Sequence, residues 1–123
     1  MAIGIGIDMI EVDRVAHKIE KNNGFREMVF SPKEIEYCES KAHKYEHYAA
    51  RFAAKEAFFK AIGTGWTNGT SFHEIEITHD EQGKPLMHLL GETQTTLKPL
   101  NIQSITLSVS HLKAIASAVV LVQ

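Results

Sequence analysis

Apolar and polar positions alternate from Ala2 to Met9, with Ile3, Ile5 and Ile7 on one face and Gly4, Gly6 and Asp8 on the other. A period of two predicts a strand. Its second face is nearly bare, open to close approach by a ligand or by another backbone. From Val12 the period lengthens. Val12, Val15, Ala16 and Ile19 make a helical stripe that stops near Asn23-Gly24. Ser31-Pro32-Lys33-Glu34 has the form of a capping box with proline at the first helical position, so a short helix is predicted to begin there. A longer helix follows from about Lys44 to Ile62 and closes at Gly63.

Beyond the loop Gly63-Thr64-Gly65-Trp66-Thr67-Asn68-Gly69, two alternating segments, roughly Phe72–Thr78 and Leu86–Leu90, flank a turn at Asp80–Pro85. A short helix around Glu92–Lys98 breaks at Pro99. Ile105, Leu107 and Val109 then alternate with Thr106, Ser108 and Ser110, and a turn at His111–Lys113 leads into a last apolar strand ending near Val122. The order β-α-α-α-β-β-α-β-β predicts an α+β fold, with helices packed on a largely antiparallel sheet.

Composition narrows the class. The 123 residues are 44% hydrophobic, which is too apolar for a disordered chain and suits one domain spanning 1–123. No long uncharged apolar run suggests a membrane span, and the acidic residues close behind the first strand are unlike a secretory leader, so a cytoplasmic protein is expected. Cys38 is the only cysteine, so neither an intrachain disulfide nor a cysteine-based zinc cluster can form; it reads as a small buried residue. With 13 Lys+Arg against 15 Asp+Glu there is no global pull toward nucleic acid.

Candidate chemistry is concentrated in few places. On the long helix Glu56 falls inside an apolar arc of Tyr45, Tyr48, Ala49, Phe52 and Phe59, with Lys60 four residues on. A carboxylate in such an arc must be neutralised, paired or coordinated to a cation. A Glu56–Lys60 pair at helical spacing satisfies this, and so does a metal. Asp8 ends the bare strand face, either as a turn or cap residue or, if it converges with Glu56, as half of a site for a hard cation such as Mg²⁺. The glycine-rich loop after Gly63 follows a helix C-terminus, whose dipole repels anions, and reads as a cap rather than a phosphate cradle. His43 and His47 are spaced as zinc ligands but lack a third. Ser108 and Ser110 beside His111 suggest a nucleophile, though a strand of small hydroxyls also accounts for them. Arg14, Lys18 and Lys21, with His17 alongside, line the first helix opposite its apolar stripe, either as a solvated face or as a docking strip for an acidic partner. The bare glycine face and the serine ladder leave little bulk to fill a monomer core, which predicts self-association.

Four blocks in order carry a resemblance that covers essentially the whole chain. Gly4-Ile5-Gly6-Ile7-Asp8-Met9-Ile10-Glu11-Val12-Asp13-Arg14 resembles the N-terminal signature of the holo-acyl-carrier-protein synthases, the bacterial-type 4′-phosphopantetheinyl transferases. Arg51-Phe52-Ala53-Ala54-Lys55-Glu56-Ala57-Phe58-Phe59-Lys60-Ala61, continuing to Gly63-Thr64-Gly65, resembles their central helix, and Gly83-Lys84-Pro85 and Ser108-Val109-Ser110-His111 resemble two further blocks. Met9, Val12 and Val109 replace other aliphatics, apolar exchanges that leave the chemistry intact.

The resemblance implies transfer of the 4′-phosphopantetheine arm of coenzyme A to a serine of apo-acyl carrier protein, releasing adenosine 3′,5′-bisphosphate, with Mg²⁺ and in support of fatty acid biosynthesis. It implies that Asp8 and Glu56 ligate the metal and that Lys60 lies near the reacting diphosphate. Arg51 and His111 would meet coenzyme A phosphates, and Arg14 would meet the carrier protein; Lys18 and Lys21 extend that strip. It also implies a homotrimer with sites between subunits. Because the nucleophile belongs to the partner, the enzyme needs none of its own, and Glu56, or a metal-activated water it orients, is the expected base. The alternatives are a coenzyme A thioester-processing enzyme and a non-catalytic carrier-protein-binding module.

Overall fold

The computed structural model describes residues 4–123. The chain runs through β1 (Gly4–Glu11), α1 (Val12–Glu20), α2 (Phe25–Val29), α3 (Pro32–Glu39), α4 (Lys44–Ile62), β2 (Ile75–His79), β3 (Pro85–Leu89), α5 (Gly91–Leu97), β4 (Ile105–His111) and β5 (Ile115–Val122), with 3₁₀ turns at Phe72–Glu74 and Lys98–Leu100. This is the expected α+β class, and every ladder is antiparallel. The strands form two sheets rather than one, a three-stranded β1-β5-β4 and a β2-β3 hairpin. Ala2 and Ile3, read as the start of the first strand, lie outside the described residues. Helix α2 is absent from the hydrophobic pattern because five residues are too few to display a period.

Helix α4 lies across the three-stranded sheet, and the glycines of β1 determine how closely. A Cβ at Gly4 would overlap the Ala61 carbonyl, and one at Gly6 would overlap the Ala57 carbonyl and lie 2.7 Å from the Ala61 nitrogen. Of the two occupants a bare face can admit, the structure has another backbone. Pairing of Gly6 with Val120 and of Val120 with Leu107 puts these residues on one inner face, packed against Ala53, Ala57 and Phe58.

The surface left open is therefore not the one expected. The glycine face is filled, while Ile5, Ile7 and Met9 point outward at 69%, 64% and 64% exposure. Thr106, Ser108 and Ser110 lie exposed on the same outer face, beside half-buried Val119 and Leu121.

The other flank of α4 is tied down by buried charge. Ser31 caps α3 as its sequence implies, its Oγ accepting from Glu34 N at 3.2 Å while Glu34 Oε1 accepts from Ser31 N at 2.9 Å. The same Glu34 carboxylate accepts from Lys55 Nζ at 2.8 Å and from Ile77 N at 3.0 Å. Lys55 is fully buried and also donates to the Phe72 and Ile75 carbonyls at 2.7 and 2.6 Å, so each of its three N–H groups has an acceptor. Burial alone would make this charge costly, and it holds the Lys55 pKa below its ordinary value against the opposing pull of Glu34. A second apolar cluster, including Val15, Phe30, Tyr48 and Cys38, fills the space between α1, α2, α3 and the first half of α4.

Candidate active site at the contact of helix α4 with strand β1

Asp8 follows Gly6 on the inner face of β1, so the close approach of α4 delivers it to the last turns of that helix. Lys60 Nζ donates to Asp8 Oδ1 at 2.9 Å and to the Ile7 carbonyl at 3.0 Å. Lys60 thus reaches across to the strand instead of closing a pair with Glu56 along its own helix. Glu56, one turn earlier, is half-buried. Burial, and then the charge of Asp8, push its carboxyl pKa up, while Lys60 and Lys18 hold it back. The two carboxylates and the ammonium form one electrostatic group.

No cluster of three or more His, Cys, Asp or Glu able to hold a metal is found among the described residues. Two carboxylates nevertheless suit a small hard cation, which keeps several waters and borrows phosphate oxygens when it binds. The donor set fits Mg²⁺.

On α1, Arg14, His17, Lys18 and Lys21 are exposed, while Val12, Val15 and Ala16 are buried. The ammonium of Lys18 lies 5.5 Å from the centre of the Phe25 ring, and its charge is felt at Glu56, so the basic strip runs toward the carboxylates.

Arg51 and His111 do not join that group. They belong to a second one on the first half of α4, where Arg51 Nη2 lies 3.4 Å from His79 Nδ1 and His111 Nδ1 lies 2.8 Å from Glu46 Oε1. The sequence pattern does not reveal His79, Glu46 or Tyr37, whose ring centre lies 4.2 Å from the Arg51 guanidinium. His47, unsupported as a zinc ligand, also belongs here, its ring 5.7 Å from that of Tyr37 and 5.0 Å from that of His111, and its position one turn before Arg51 is the available signal. Nothing in the pattern links His79 to them, since it comes from the far end of β2.

Ser108 and Ser110 face outward on β4, whereas His111 lies on the opposite side of that strand, so strand alternation separates the serines from the histidine. A thioester-processing site built on them is unsupported. Gly63, at φ 78°, closes α4 as a left-handed cap, as its position implies. A groove of about 800 Å³ between β3, α5 and β4, lined by residues such as His88, Lys98 and Gln103, contains none of the groups above.

The model of the 4′-phosphopantetheinyl transferase superfamily matches residues 4–116. The chain belongs to this superfamily. It is 42% identical to the holo-[acyl-carrier-protein] synthase of Solibacter usitatus across all of this chain and 99% of that protein. The crystal structure of the corresponding synthase from Neisseria meningitidis superposes with a TM-score of 0.88 at 32% identity, covering 98% of this chain and 97% of that one. The Helicobacter pylori synthase in complex with coenzyme A gives a TM-score of 0.84 at 34% identity, covering 97% and 99%.

The raised pKa of Glu56 has a testable consequence. A carboxyl that binds its proton more tightly folded than unfolded favours the folded state at low pH and loses that advantage as pH rises through the folded value. In metal-free buffer, Glu56→Gln should therefore melt higher than the wild type near neutral pH, and the gain should vanish below the ordinary carboxylate range. Thermal unfolding across that pH range checks this; a variant less stable at neutral pH contradicts it.

Proposed function

We propose that this chain, acting as one domain over residues 1–123, is a holo-[acyl-carrier-protein] synthase. It moves the 4′-phosphopantetheine arm of coenzyme A onto a serine hydroxyl of apo-acyl carrier protein and releases adenosine 3′,5′-bisphosphate. The observation that carries the reading is the grouping of Asp8, Glu56 and Lys60 in a chain of this family matched over nearly its full length. Retention of all three speaks against a non-catalytic binding module.

Asp8 and Glu56 would hold Mg²⁺, which when bound disperses negative charge on the diphosphate oxygens. Lys60, its side chain 54% exposed and already turned toward Asp8, adds a second positive charge beside the diphosphate. The serine oxygen forms the new bond to the pantetheine-side phosphorus, and the bond from that phosphorus to the bridging oxygen breaks. The serine proton goes to Glu56, or to a metal-activated water that Glu56 orients. Arg51 and His111 hold coenzyme A phosphates, and Arg14, Lys18 and Lys21 receive an acidic helix of the carrier protein.

The exposed Ile5, Ile7 and Met9 face supports assembly, and we assign it to a homotrimer with sites at the subunit boundaries. No helix among the described residues is long and apolar enough to cross a membrane. We place the reaction in the cytoplasm, in support of fatty acid biosynthesis.

Incubating the protein with apo-acyl carrier protein, coenzyme A and Mg²⁺ should raise the carrier's mass by one phosphopantetheine unit. Glu56→Gln should slow transfer by about 10²–10⁴-fold, the range for losing a positioned acid or base. No mass gain, or an unimpaired Glu56→Gln, contradicts the reading.

The strip on α1 has its own test. Reversing Arg14 to Glu should leave folding and coenzyme A affinity unchanged but raise KM for carrier protein by about tenfold, because exposed charges act on encounter. Added salt, screening beyond roughly 8 Å at physiological strength, should weaken the wild type more than the variant. Equal KM and equal salt response in steady-state kinetics would reduce the strip to a solvated face.

A further inference from the structure

The groove between β3, α5 and β4 is bordered by two strand edges that do not pair with each other. Strand β3 pairs only with β2, and β4 only with β5. The phase of each ladder says which main-chain groups are left over. Ser104, just ahead of β4, and Gln123, just past β5, exchange two hydrogen bonds, Ser104 N to Gln123 O at 3.1 Å and Gln123 N to Ser104 O at 3.0 Å. Antiparallel pairs alternate between bonded and unbonded, so the next residue, Ile105, turns its N–H and C=O away from β5. Leu90 N donates to Glu74 O at 2.8 Å and Asp80 N to Lys84 O at 2.9 Å. By the same count Met87 and Leu89 turn theirs away from β2. Among the described residues no hydrogen bond meets these outward groups, and all three residues line the groove of about 800 Å³.

Such an edge is a template for an added strand, and the start of β3 limits how far one can pair. Pro85 has no N–H to offer on the open side, so the ladder is confined to the two donors and two acceptors of Met87 and Leu89. The side chains define what suits the space beside them. Met87 and Leu97 are buried in the floor, with Leu89 and Ile105 half-buried next to them. The ionisable lining residues are His88, whose Nε2 lies 2.9 Å from Thr78 Oγ1, and Lys98, exposed at the C-terminal end of α5. No carboxylate among the described residues lines the groove, in a chain with 15 Asp+Glu against 13 Lys+Arg. A strand laid here would alternate, one side chain toward the apolar floor and the next toward the exposed rim.

We propose that this groove receives an extended acidic peptide segment of another protein, paired through its main chain with Met87 and Leu89 and held by Lys98. Main-chain pairing supplies affinity, the floor selects an apolar side chain, and Lys98 selects a carboxylate beside it. The strip on α1 offers only side-chain charge and has no free strand edge, so it cannot recognise a partner in this way. The inference stands apart from the transferase reading, because the groove contains none of the residues assigned to transfer.

Residue-resolved amide hydrogen exchange with three capped hexapeptides, each titrated to about 1 mM, tests this. The first alternates Glu and Val, the second alternates Lys and Val, and the third is the Glu-Val peptide with both central residues replaced by proline. The Glu-Val peptide should slow exchange at the Met87 and Leu89 amides, whose N–H groups would donate to its carbonyls. Two adjacent prolines remove a ladder donor in either register and should weaken binding by about tenfold. Lys98→Glu, a change at an exposed position, should weaken the Glu-Val peptide by about tenfold and improve binding of the Lys-Val one. No slowing at Met87 and Leu89, equal protection by the Lys-Val peptide, full affinity of the proline peptide, or protection confined to α1 overturns the inference. Protection of Met87 and Leu89 that rises with protein concentration and needs no peptide would mean that a second copy covers the groove, and overturns it as well.

Discussion

Everything in the proposed catalytic group depends on two glycines of β1 touching the backbone of α4. With Cβ atoms at Gly4 and Gly6 the helix could not sit where it does, because the Ala61 and Ala57 carbonyls occupy that space. The contact brings Asp8 and the Ile7 carbonyl within 3.0 Å of Lys60 and lets the charge of Asp8 act on Glu56. Small residues on both sides, glycine on the strand and alanine on the helix, turn packing into a means of positioning charge.

Helix α4 distributes its work by face. Ala53 and Ala57 contribute to the core over the sheet, and Glu56 and Lys60, four residues apart, stand at its rim. Arg51 and Lys55, also four apart, point toward α3 and β2. Lys55 is satisfied by Glu34 and two carbonyls and anchors the helix, while Arg51 is left with an idle donor. Two buried cations one turn apart thus differ, Lys55 fastening the structure through all its donors and Arg51 keeping one donor unpaired.

The sequence revealed elements more readily than faces. Alternation located β1, but the usual inference that aliphatic residues point inward inverts there, because glycines permit a closer helix contact than isoleucines could. The capping box at Ser31 was legible since all its partners are local, whereas the further use of Glu34 by Lys55 and Ile77 spans 21 and 43 residues and leaves no local trace. Glu56 was conspicuous as a carboxylate in an apolar arc, yet its partner in space is Asp8, on another element. The histidine group was invisible for the same reason, since only His47 and Arg51 share a helical spacing and the rest arrive through the tertiary fold.

The unfolding free energy of Gly6→Ala tests the governing role of that backbone contact most directly. At a glycine with free space and compatible dihedrals, alanine stabilises by about 0.4–1 kcal/mol through the unfolded chain. Here the added methyl would force α4 away from β1, so denaturant unfolding should show a loss of about 1–3 kcal/mol or more, as for overpacked cores. A Gly6→Ala protein as stable as the wild type, or more so, would mean that the glycine contact does not set the position of α4, and the account of the site built on it would fail.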